Sequence, residues 1–315
     1  MGLGAGTADV DHRFRTVALF VTLAVLWGFS FLAIAVGLES LEPVLFAAFR
    51  YDVAAVLLLG YALVGEREWL PTDRASLAAI LGGGVFLIAG NGFLFVGQQT
   101  VPSGVAAILQ SLVPIATSLW ALGLLPQERL SARGAVGILL GFLGVALVVR
   151  PDPTNLLGAG IVGRLLILCQ VLSVSLGGVL VQRARPTLGN AALSGWSMLV
   201  GALVLHGVSP TVGEAFALPA TPVAWVAVAY LGVFATAVAF FIYYTLLDVR
   251  GALETSLVAY MVPVVATVAG VLVLRESVTP LTIVGFLVVA SGFFVLKREA
   301  IAALATELRA ALRTP

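Results

Sequence analysis

The chain has 315 residues, of which 60% are hydrophobic and only 10% are charged. Soluble domains carry about 25% charged residues, and a chain with a mean hydropathy of +1.10 cannot cover a water-facing surface with polar groups. This composition excludes a soluble enzyme, a nucleic-acid-binding domain and a disordered protein, and the net charge of +1 does not attract nucleic acid. The single cysteine, Cys169, excludes a disulfide framework and a CxxC metal site.

Long apolar stretches follow one another along almost the whole chain. A membrane-spanning helix needs about 20 mostly apolar residues. Ten stretches of this kind lie between polar or Pro/Gly breaks, and we number them spans one to ten: 16–36, 42–64, 75–97, 102–125, 131–149, 158–182, 188–208, 221–247, 251–274 and 279–296. The connections between them are too short to fold alone. The sequence therefore predicts an all-α integral membrane protein with ten transmembrane helices and no soluble module.

The basic residues are distributed unevenly between the predicted connections. If the N-terminus is cytoplasmic, only Arg150 and Arg275 lie in outside segments, while Arg50 and Arg164 fall inside spans. The other 13 of the 17 basic residues lie in cytoplasmic segments: Arg13, Arg15, Arg67, Arg74, Arg129, Arg133, Arg183, Arg185, Arg250, Lys297, Arg298, Arg309 and Arg313. By the positive-inside rule we expect a cell-membrane protein with both termini in the cytoplasm.

The last segment, 297–315, has apolar residues at helical spacing, which are Ile301, Leu304, Leu308 and Leu312. Two interpretations remain open. The segment is either an amphipathic helix on the inner leaflet or a solvated extension of span ten.

The two halves of the chain share a pattern of special residues. Pro114 in span four and Pro263 in span nine are 149 residues apart, and an acid, Glu128 or Glu276, follows each of these spans. A glycine-rich span comes next in both halves. An ungapped alignment of 82–125 with 231–274 shows no identity above chance, so the placement of Pro, acid and Gly carries the evidence for duplication.

This pattern predicts two five-helix repeats, in residues 1–150 and 151–296. Because five is odd, the second repeat must be inverted relative to the first. Inverted repeats are typical of transporters, whose substrate sites lie near the membrane midplane at the interface between the repeats.

Four features in this order are similar to one family. Span one contains Leu26-Trp27-Gly28-Phe29-Ser30-Phe31, and span two contains Arg50 within Phe46-Ala47-Ala48-Phe49-Arg50-Tyr51. The Pro-then-Glu pattern and the glycine-rich fifth and tenth spans complete the set. The chain resembles the drug/metabolite transporter superfamily, specifically its EamA-type members. It departs from the pattern in its second half, where span six lacks a tryptophan matching Trp27 and span seven lacks an arginine matching Arg50.

The resemblance implies a ten-helix carrier with both termini inside and a central cavity that opens to one side at a time. Such carriers move metabolites, amino acids, sugars or amphipathic drugs, often outward. We therefore expect a secondary-active transporter, specifically an exporter, that works by alternating access around a midplane cavity.

Two charged residues lie deep in span two. By helix rise, Arg50 lies about 12 Å and Asp52 about 15 Å into the span. Charges at this depth usually face a cavity or a partner. Arg50 is a candidate for binding a substrate carboxylate, and Asp52 is a candidate for proton coupling. The alternative is that carbonyls or neighbouring helices satisfy both side chains.

The two midspan prolines remove backbone hydrogen bonds and free the carbonyls of Gln110 and Ala259. Together with the Gln110 amide and the Tyr260 phenol, these carbonyls form a polar spot suited to a ligand. Pro114 and Pro263 are therefore candidate helix breaks or hinges, and Gln110 and Tyr260 are candidate substrate-binding residues. A plain packing kink is the alternative.

Trp27 and Asn91 complete the candidate substrate-binding set, although either could serve only in packing between helices. Small residues allow helix backbones to approach closely. We assign the glycine stripes to helix packing: Gly134, Gly137, Gly141, Gly144, Gly285 and Gly292.

A membrane-embedded enzyme and a channel are the alternative functions. The sequence contains no HExxH or GxSxG motif, and its histidines are His12 and His206 only, so we expect no enzyme, cofactor or metal. No pore-loop segment or ring of like charges is visible. We expect a monomer whose partners are a small-molecule substrate and membrane lipid, without nucleic acid.

Overall fold

The computed structural model describes residues 4–125, 132–149, 159–243, 245–246, 255, 258–296 and 298. This part of the chain is helical and contains no strand. The α-helices are α1 Gly4–Gly37, α2 Pro43–Gly65, α3 Arg74–Gly82, α4 Gly92–Gln98, α5 Ser103–Gln110, α6 Val113–Leu124, α7 Ala132–Val149, α8 Ala159–Ala184, α9 Asn190–Val208, α10 Pro222–Ala229, α11 Val258–Leu274 and α12 Pro280–Leu296.

Seven helical segments within these ranges are long and apolar enough to cross a membrane, and three shorter apolar helices accompany them. The long segments are Arg15–Gly37, Pro43–Gly65, Arg74–Gln98, Ser103–Leu124, Gly160–Ala184, Asn190–Val212 and Pro222–Tyr243, and the shorter ones are Gly134–Val149, Val258–Leu274 and Pro280–Val295. They coincide with the predicted spans to within a few residues, except at the start of span nine and at the end of span eight. Glu128 and nearly all of the 297–315 tail lie outside the described residues.

Two of the long segments contain π-helix. Gly83–Ile88 forms a π-helix between α3 and a 3₁₀ turn at Ala89–Asn91, and Tyr230–Val238 forms a second one after α10. The two π-helices begin 147 residues apart, so they occupy matching places in the two halves of the chain. π-Helical turns are rare and occur frequently at functional sites.

Pro114 and Pro263 lie in different surroundings, although the sequence pattern treats them alike. The fourth segment is interrupted between α5 and α6, and Pro114 lies in the first turn of α6, where a missing N–H costs little. Pro263 lies inside the continuous helix α11. Of the two, only Pro114 therefore lies at an end of a helix.

The helices pack in pairs between the two halves. α2 runs along α9, α7 along α12, α1 along α11, and α6 along α8. In the α7–α12 pair the glycines face each other. A Cβ atom on Gly292 would lie 2.6 Å from the Gly137 carbonyl oxygen and 2.9 Å from the Gly141 nitrogen, and one on Gly144 would lie 2.8 Å from the Gly285 oxygen. Gly134 is also buried on α7.

Two acidic residues connect α2 and α9 at both ends. Glu214, which follows α9, accepts hydrogen bonds from the Val44 and Leu45 amides at the start of α2, both at 2.9 Å. Glu66, which follows α2, accepts hydrogen bonds from the amides of Ala191 and Ala192 at the start of α9, at 3.1 and 3.0 Å. Each helix is therefore capped by the acid that follows the other, so the two helices are antiparallel.

A third acid repeats this arrangement. Glu276, which follows α11, accepts a hydrogen bond from the Ser103 amide at the start of α5, at 2.9 Å. We call the end of the helix pairs that holds residues 38–42 and Glu214 the 38–42 side, and the end that holds residues 66–73 and Glu66 the 66–73 side. At the 66–73 side, Thr187 also donates a hydrogen bond to Asp73, at 2.9 Å.

Candidate functional site

Arg50 lies on α2 and is buried, with 8% of its surface exposed. Its Nε donates a hydrogen bond to the Oγ1 of Thr236, a buried residue of the second π-helix, at 2.8 Å. Its Cζ lies 5.1 Å from the centre of the Tyr51 ring. A guanidinium has five N–H donors. Among the described residues no carboxylate forms an ion pair with Arg50, and Thr236 takes only one of these donors.

The second π-helix can approach Arg50 because Gly232 has no side chain. A Cβ atom at this position would lie 2.6 Å from Val53 and 3.1 Å from the Arg50 carbonyl oxygen. The wider turn of the π-helix places Thr236 against the same part of α2. The local sequence thus brings a hydroxyl, rather than a carboxylate, to the buried cation.

Trp27 lies near the same π-helix, on α1. Its ring centre is 5.7 Å from that of Tyr243, and Tyr243 in turn contacts Phe240. The Tyr230 hydroxyl donates a hydrogen bond to the Leu26 carbonyl at 3.0 Å and lies within electrostatic range of Arg50. Trp27 and Arg50 therefore flank one π-helical segment. Aromatic rings lie on one flank, and on the other lies a cation with no carboxylate partner among the described residues.

Asp52 has a partner on α9. Its Oδ2 lies 2.8 Å from the Nε2 of His206. The two side chains are 41% and 27% exposed, respectively. The ring of His206 also contacts Phe49 and Phe216, at 5.8 and 6.4 Å between centres. Arg50 and Asp52, two residues apart on α2, consequently contact different elements, in agreement with helix geometry.

Asn91, a candidate substrate ligand, is engaged in packing in the 3₁₀ turn that follows the first π-helix. Its Nδ2 donates to the Leu87 carbonyl at 2.8 Å, and its Oδ1 accepts from Gln170 of α8 at 3.1 Å. The Oε1 of Gln170 is buried and has no hydrogen-bond partner in the described part of the chain. This contact favours a packing role for Asn91.

Gln110 and Tyr260 are not joined to Arg50 by any contact between described residues. Gln110 is the last residue of α5 and is half-buried. The Tyr260 ring packs against Phe293 of α12, with 4.8 Å between centres, and its hydroxyl is buried without a partner within the described ranges. The candidate set thus divides into a group at the second π-helix and residues placed elsewhere.

Sequence reasoning missed three features: the two π-helices, Thr236 and the His206 partner of Asp52. A π-helix has no composition pattern of its own, although the Gly82-Gly83-Gly84 run was a local signal. His206 interrupts an otherwise apolar stretch, and this alone could have marked it.

A groove of about 520 Å³, open at the protein surface, lies between α2, α9 and the second π-helix, on the 66–73 side of Arg50. Its lining is mostly apolar and includes Leu57, Tyr61, Ser194, Ala237 and Phe241. Its lining also includes Glu66, and Ala237 in the lining is the residue next to Thr236, the hydrogen-bond partner of Arg50.

Comparison with known proteins gives the family. The model of the EamA-like transporter family matches residues 14–150 and, a second time, residues 161–298. The chain belongs to the EamA-like transporter family. It is 35% identical over 267 residues to the inner membrane transporter YedA of Escherichia coli (strain K12), covering 82% of this chain and 84% of YedA. The family consists of multi-pass membrane transporters, not enzymes.

Two further relatives have names that describe transporters, and one solved structure has the same fold. A transporter of Archaeoglobus fulgidus is 26% identical over 91% of this chain and 99% of its own length. A probable amino-acid metabolite efflux pump of Escherichia coli (strain K12) is 25% identical over 88% of this chain and 93% of its own length. A crystal structure with 21% sequence identity superposes with a TM-score of 0.63 over 91% of this chain and 99% of that chain, which shows the same fold.

Proposed function

We propose that this EamA-family protein is a secondary-active transporter that exports a small metabolite carrying an anionic group, by alternating access around Arg50. The observation that carries the proposal is the buried Arg50 guanidinium without a carboxylate partner among the described residues. A buried unpaired charge is costly. A carrier retains such a charge because the substrate supplies the counter-charge when it binds. Trp27 and its aromatic neighbours then contact the apolar part of the substrate.

The proposed architecture is ten spans in two inverted five-helix repeats, residues 1–150 and 151–296. Three observations support it. The family model matches the chain twice, Glu66 and Glu214 cap each other's helices, and the two π-helices begin at matching places. In this proposal the breaks at the π-helices and at Pro114 let half-helices move, with Pro263 as a weaker kink. Gln110 and Tyr260 are proposed to line the route only when the helices have moved.

The proposed orientation places the 66–73 side and both termini in the cytoplasm, in a monomer surrounded by lipid. In a Cys169→Ser background, an impermeant thiol reagent should label cysteines at positions 40 and 212 from outside intact cells, but not at positions 70 and 186. All four positions are at least partly exposed. Labelling of the second pair instead would reverse the orientation.

Transport is tested with purified protein in proteoliposomes and a panel of radiolabelled amino acids and carboxylate metabolites. Saturable flux of a carboxylate is expected, because a carrier has a finite number of sites and a channel does not saturate in this way. Arg50→Gln should abolish it, and Arg50→Lys should restore it in part because the charge returns without the planar donor geometry.

Arg67→Gln, which removes an exposed arginine outside the helices, is the matched control and should transport like wild type. Full flux in Arg50→Gln would refute the role of Arg50, and no flux of any panel compound by the wild-type protein would contradict the anionic-metabolite class.

A further inference from the structure

The Asp52–His206 pair connects α2 to α9 inside the membrane region, between the two carboxylate caps. Asp52 is the tenth residue of α2, so it lies about 14 Å from the start of the helix at the 38–42 side. His206 lies near the same end of the pair, two residues before the end of α9, because the two helices are antiparallel. Both side chains are partly exposed, so the helix packing does not enclose the pair.

We propose that Asp52 and His206 bind one proton and that this proton travels in the same direction as the anionic substrate held by Arg50. The proposal rests on the proposed function, because it assumes that Arg50 binds an anion. Binding of the proton forms a single bond. The proton adds to the free imidazole nitrogen, Nδ1, while Nε2 keeps its hydrogen bond to the Asp52 carboxylate. The charge of the pair rises from −1 to 0.

The other charged and titratable groups around the pair do not change its net charge. On α2 the neighbours are Arg50, whose Nε is held by Thr236, and Tyr51, which is neutral. Glu214 is bonded to two amides of α2 and to the Ser209 hydroxyl, so its charge is taken up by the helix terminus. Tyr230 of the second π-helix donates its hydroxyl to the Leu26 carbonyl of α1 and is neutral. α9 has no titratable side chain other than His206. The first π-helix and α4 also pack on this pair of helices, and neither contains a titratable side chain.

The net charge of the site links proton binding to substrate binding. The empty carrier holds Arg50 at +1 and Asp52 at −1, which is neutral. A bound monoanion alone makes the site −1, and a bound proton alone makes it +1. A monoanion and a proton together make it neutral again. Because net charge inside the membrane is costly, the carrier should close and reorient only when empty or when both are bound.

The net result is electroneutral transport of one anion with one proton. An exporter of this kind runs down the concentration gradient of its metabolite and carries protons outward with it.

The proton site itself is tested without a substrate. The chain has two histidines, so His12→Gln leaves His206 as the single signal in NMR of ¹⁵N-histidine-labelled protein in lipid nanodiscs. Asp52→Asn should change the pH dependence of the His206 ring signals, because it removes the carboxylate that contacts Nε2. Glu39→Gln, which removes an exposed carboxylate on the same side, is the matched control and should leave it unchanged. An unchanged titration in Asp52→Asn would overturn the proposal.

Coupling is tested in proteoliposomes that contain pyranine, with radiolabelled benzenesulfonate as an aromatic monoanion that stays ionised and does not cross the bilayer as a neutral acid, and with leucine as an amino acid. An inward benzenesulfonate gradient should acidify the lumen, protein-free vesicles should show no such change, and an imposed potassium–valinomycin potential should not change the flux. Asp52→Asn and His206→Gln should lose pH-gradient-driven uptake but keep benzenesulfonate exchange.

Gradient-driven uptake by both variants would overturn the proton role, and so would flux that responds to the membrane potential with no pH change. If the wild-type protein moves neither probe, the proposed transport of anions fails, while the NMR titration still decides whether the pair binds a proton.

Discussion

The Glu214 cap provides a quantitative test of what holds α2 and α9 together. Glu214 is buried, and its two carboxylate oxygens accept the Val44 and Leu45 amides at 2.9 Å and the Ser209 hydroxyl at 2.8 Å. A hydrogen bond to a charged group contributes about 1.5–3 kcal/mol. Glu214→Ala leaves both amides of the first turn of α2 without a partner, so the free energy of unfolding should fall by about 3–6 kcal/mol. Glu214→Gln keeps one acceptor oxygen and should lose roughly half of that.

The measurement is reversible unfolding in mixed detergent micelles, followed by tryptophan fluorescence. Glu39→Ala is the control, because Glu39 lies on the same side, is exposed, and should change the free energy of unfolding by no more than about 0.5 kcal/mol. Glu66→Ala should destabilise by less than Glu214→Ala, because Glu66 is more exposed and its hydrogen bonds are slightly longer. If Glu214→Ala matches Glu39→Ala, the caps do not stabilise the helix pair and the reasoning is refuted.

Three further predictions concern packing, the helix break and pH. Gly292→Ala should destabilise by about 1–3 kcal/mol, since its Cβ would meet the α7 backbone, whereas Gly123→Ala, with open space around it, should be neutral or stabilising in the same assay. Pro114→Ala restores an amide that can bond to the Gln110 carbonyl, so it should slow transport while substrate binding persists; transport at the wild-type rate would make the break a packing feature. Hydrogen bonds from Ser76 lower the pKa of the α3 cap Asp73 to about 2. Its contribution to stability should therefore be complete above the ordinary value of 3.8 and be lost as the pH falls through about 2, and this acid-dependent part of thermal stability should be absent in Asp73→Asn.

The sequence predicted the helical segments well because lipid imposes one simple requirement, a long apolar stretch between polar connections. Span two, predicted at 42–64, is the helix Pro43–Gly65, and span four, predicted at 102–125, is Ser103–Leu124. Arg50 was identifiable for the same reason, since a charge within such a stretch stands out. The family followed from the order of weak motifs.

The remaining features depend on contacts between residues far apart in the chain. Glu214 lies 170 residues from the amide that it caps, and no local pattern distinguishes it from an ordinary loop acid. Thr236 matters because a π-helix turns it toward Arg50, and hydropathy does not report this turn. Packing also decides that Asn91 contacts Gln170 and not Arg50. Two polar residues at similar depth in a membrane can face different neighbours, and the sequence does not show which.

From the contacts between α2 and α9 we predict that this pair moves as one unit in the proposed transport cycle. The pair is held at both ends by the reciprocal caps and between them by Asp52 and His206. Gly195 also brings the backbones close, since a Cβ atom there would lie 3.0 Å from the Leu59 nitrogen. A disulfide between Leu59→Cys and Gly195→Cys, in a Cys169→Ser background, should therefore form, because the two Cβ atoms fall near disulfide range.

If α2 and α9 do not slide past each other, the oxidised double variant should transport at the same rate as its reduced form. The moving parts are then the segments interrupted by π-helix and the α5–α6 break, which the cross-link does not touch. Transport that stops on oxidation and returns on reduction would show that α2 and α9 move relative to each other. In that case the caps and the Asp52–His206 contact would have to break in every cycle, and the hinge would have to be placed between these two helices rather than at the π-helices.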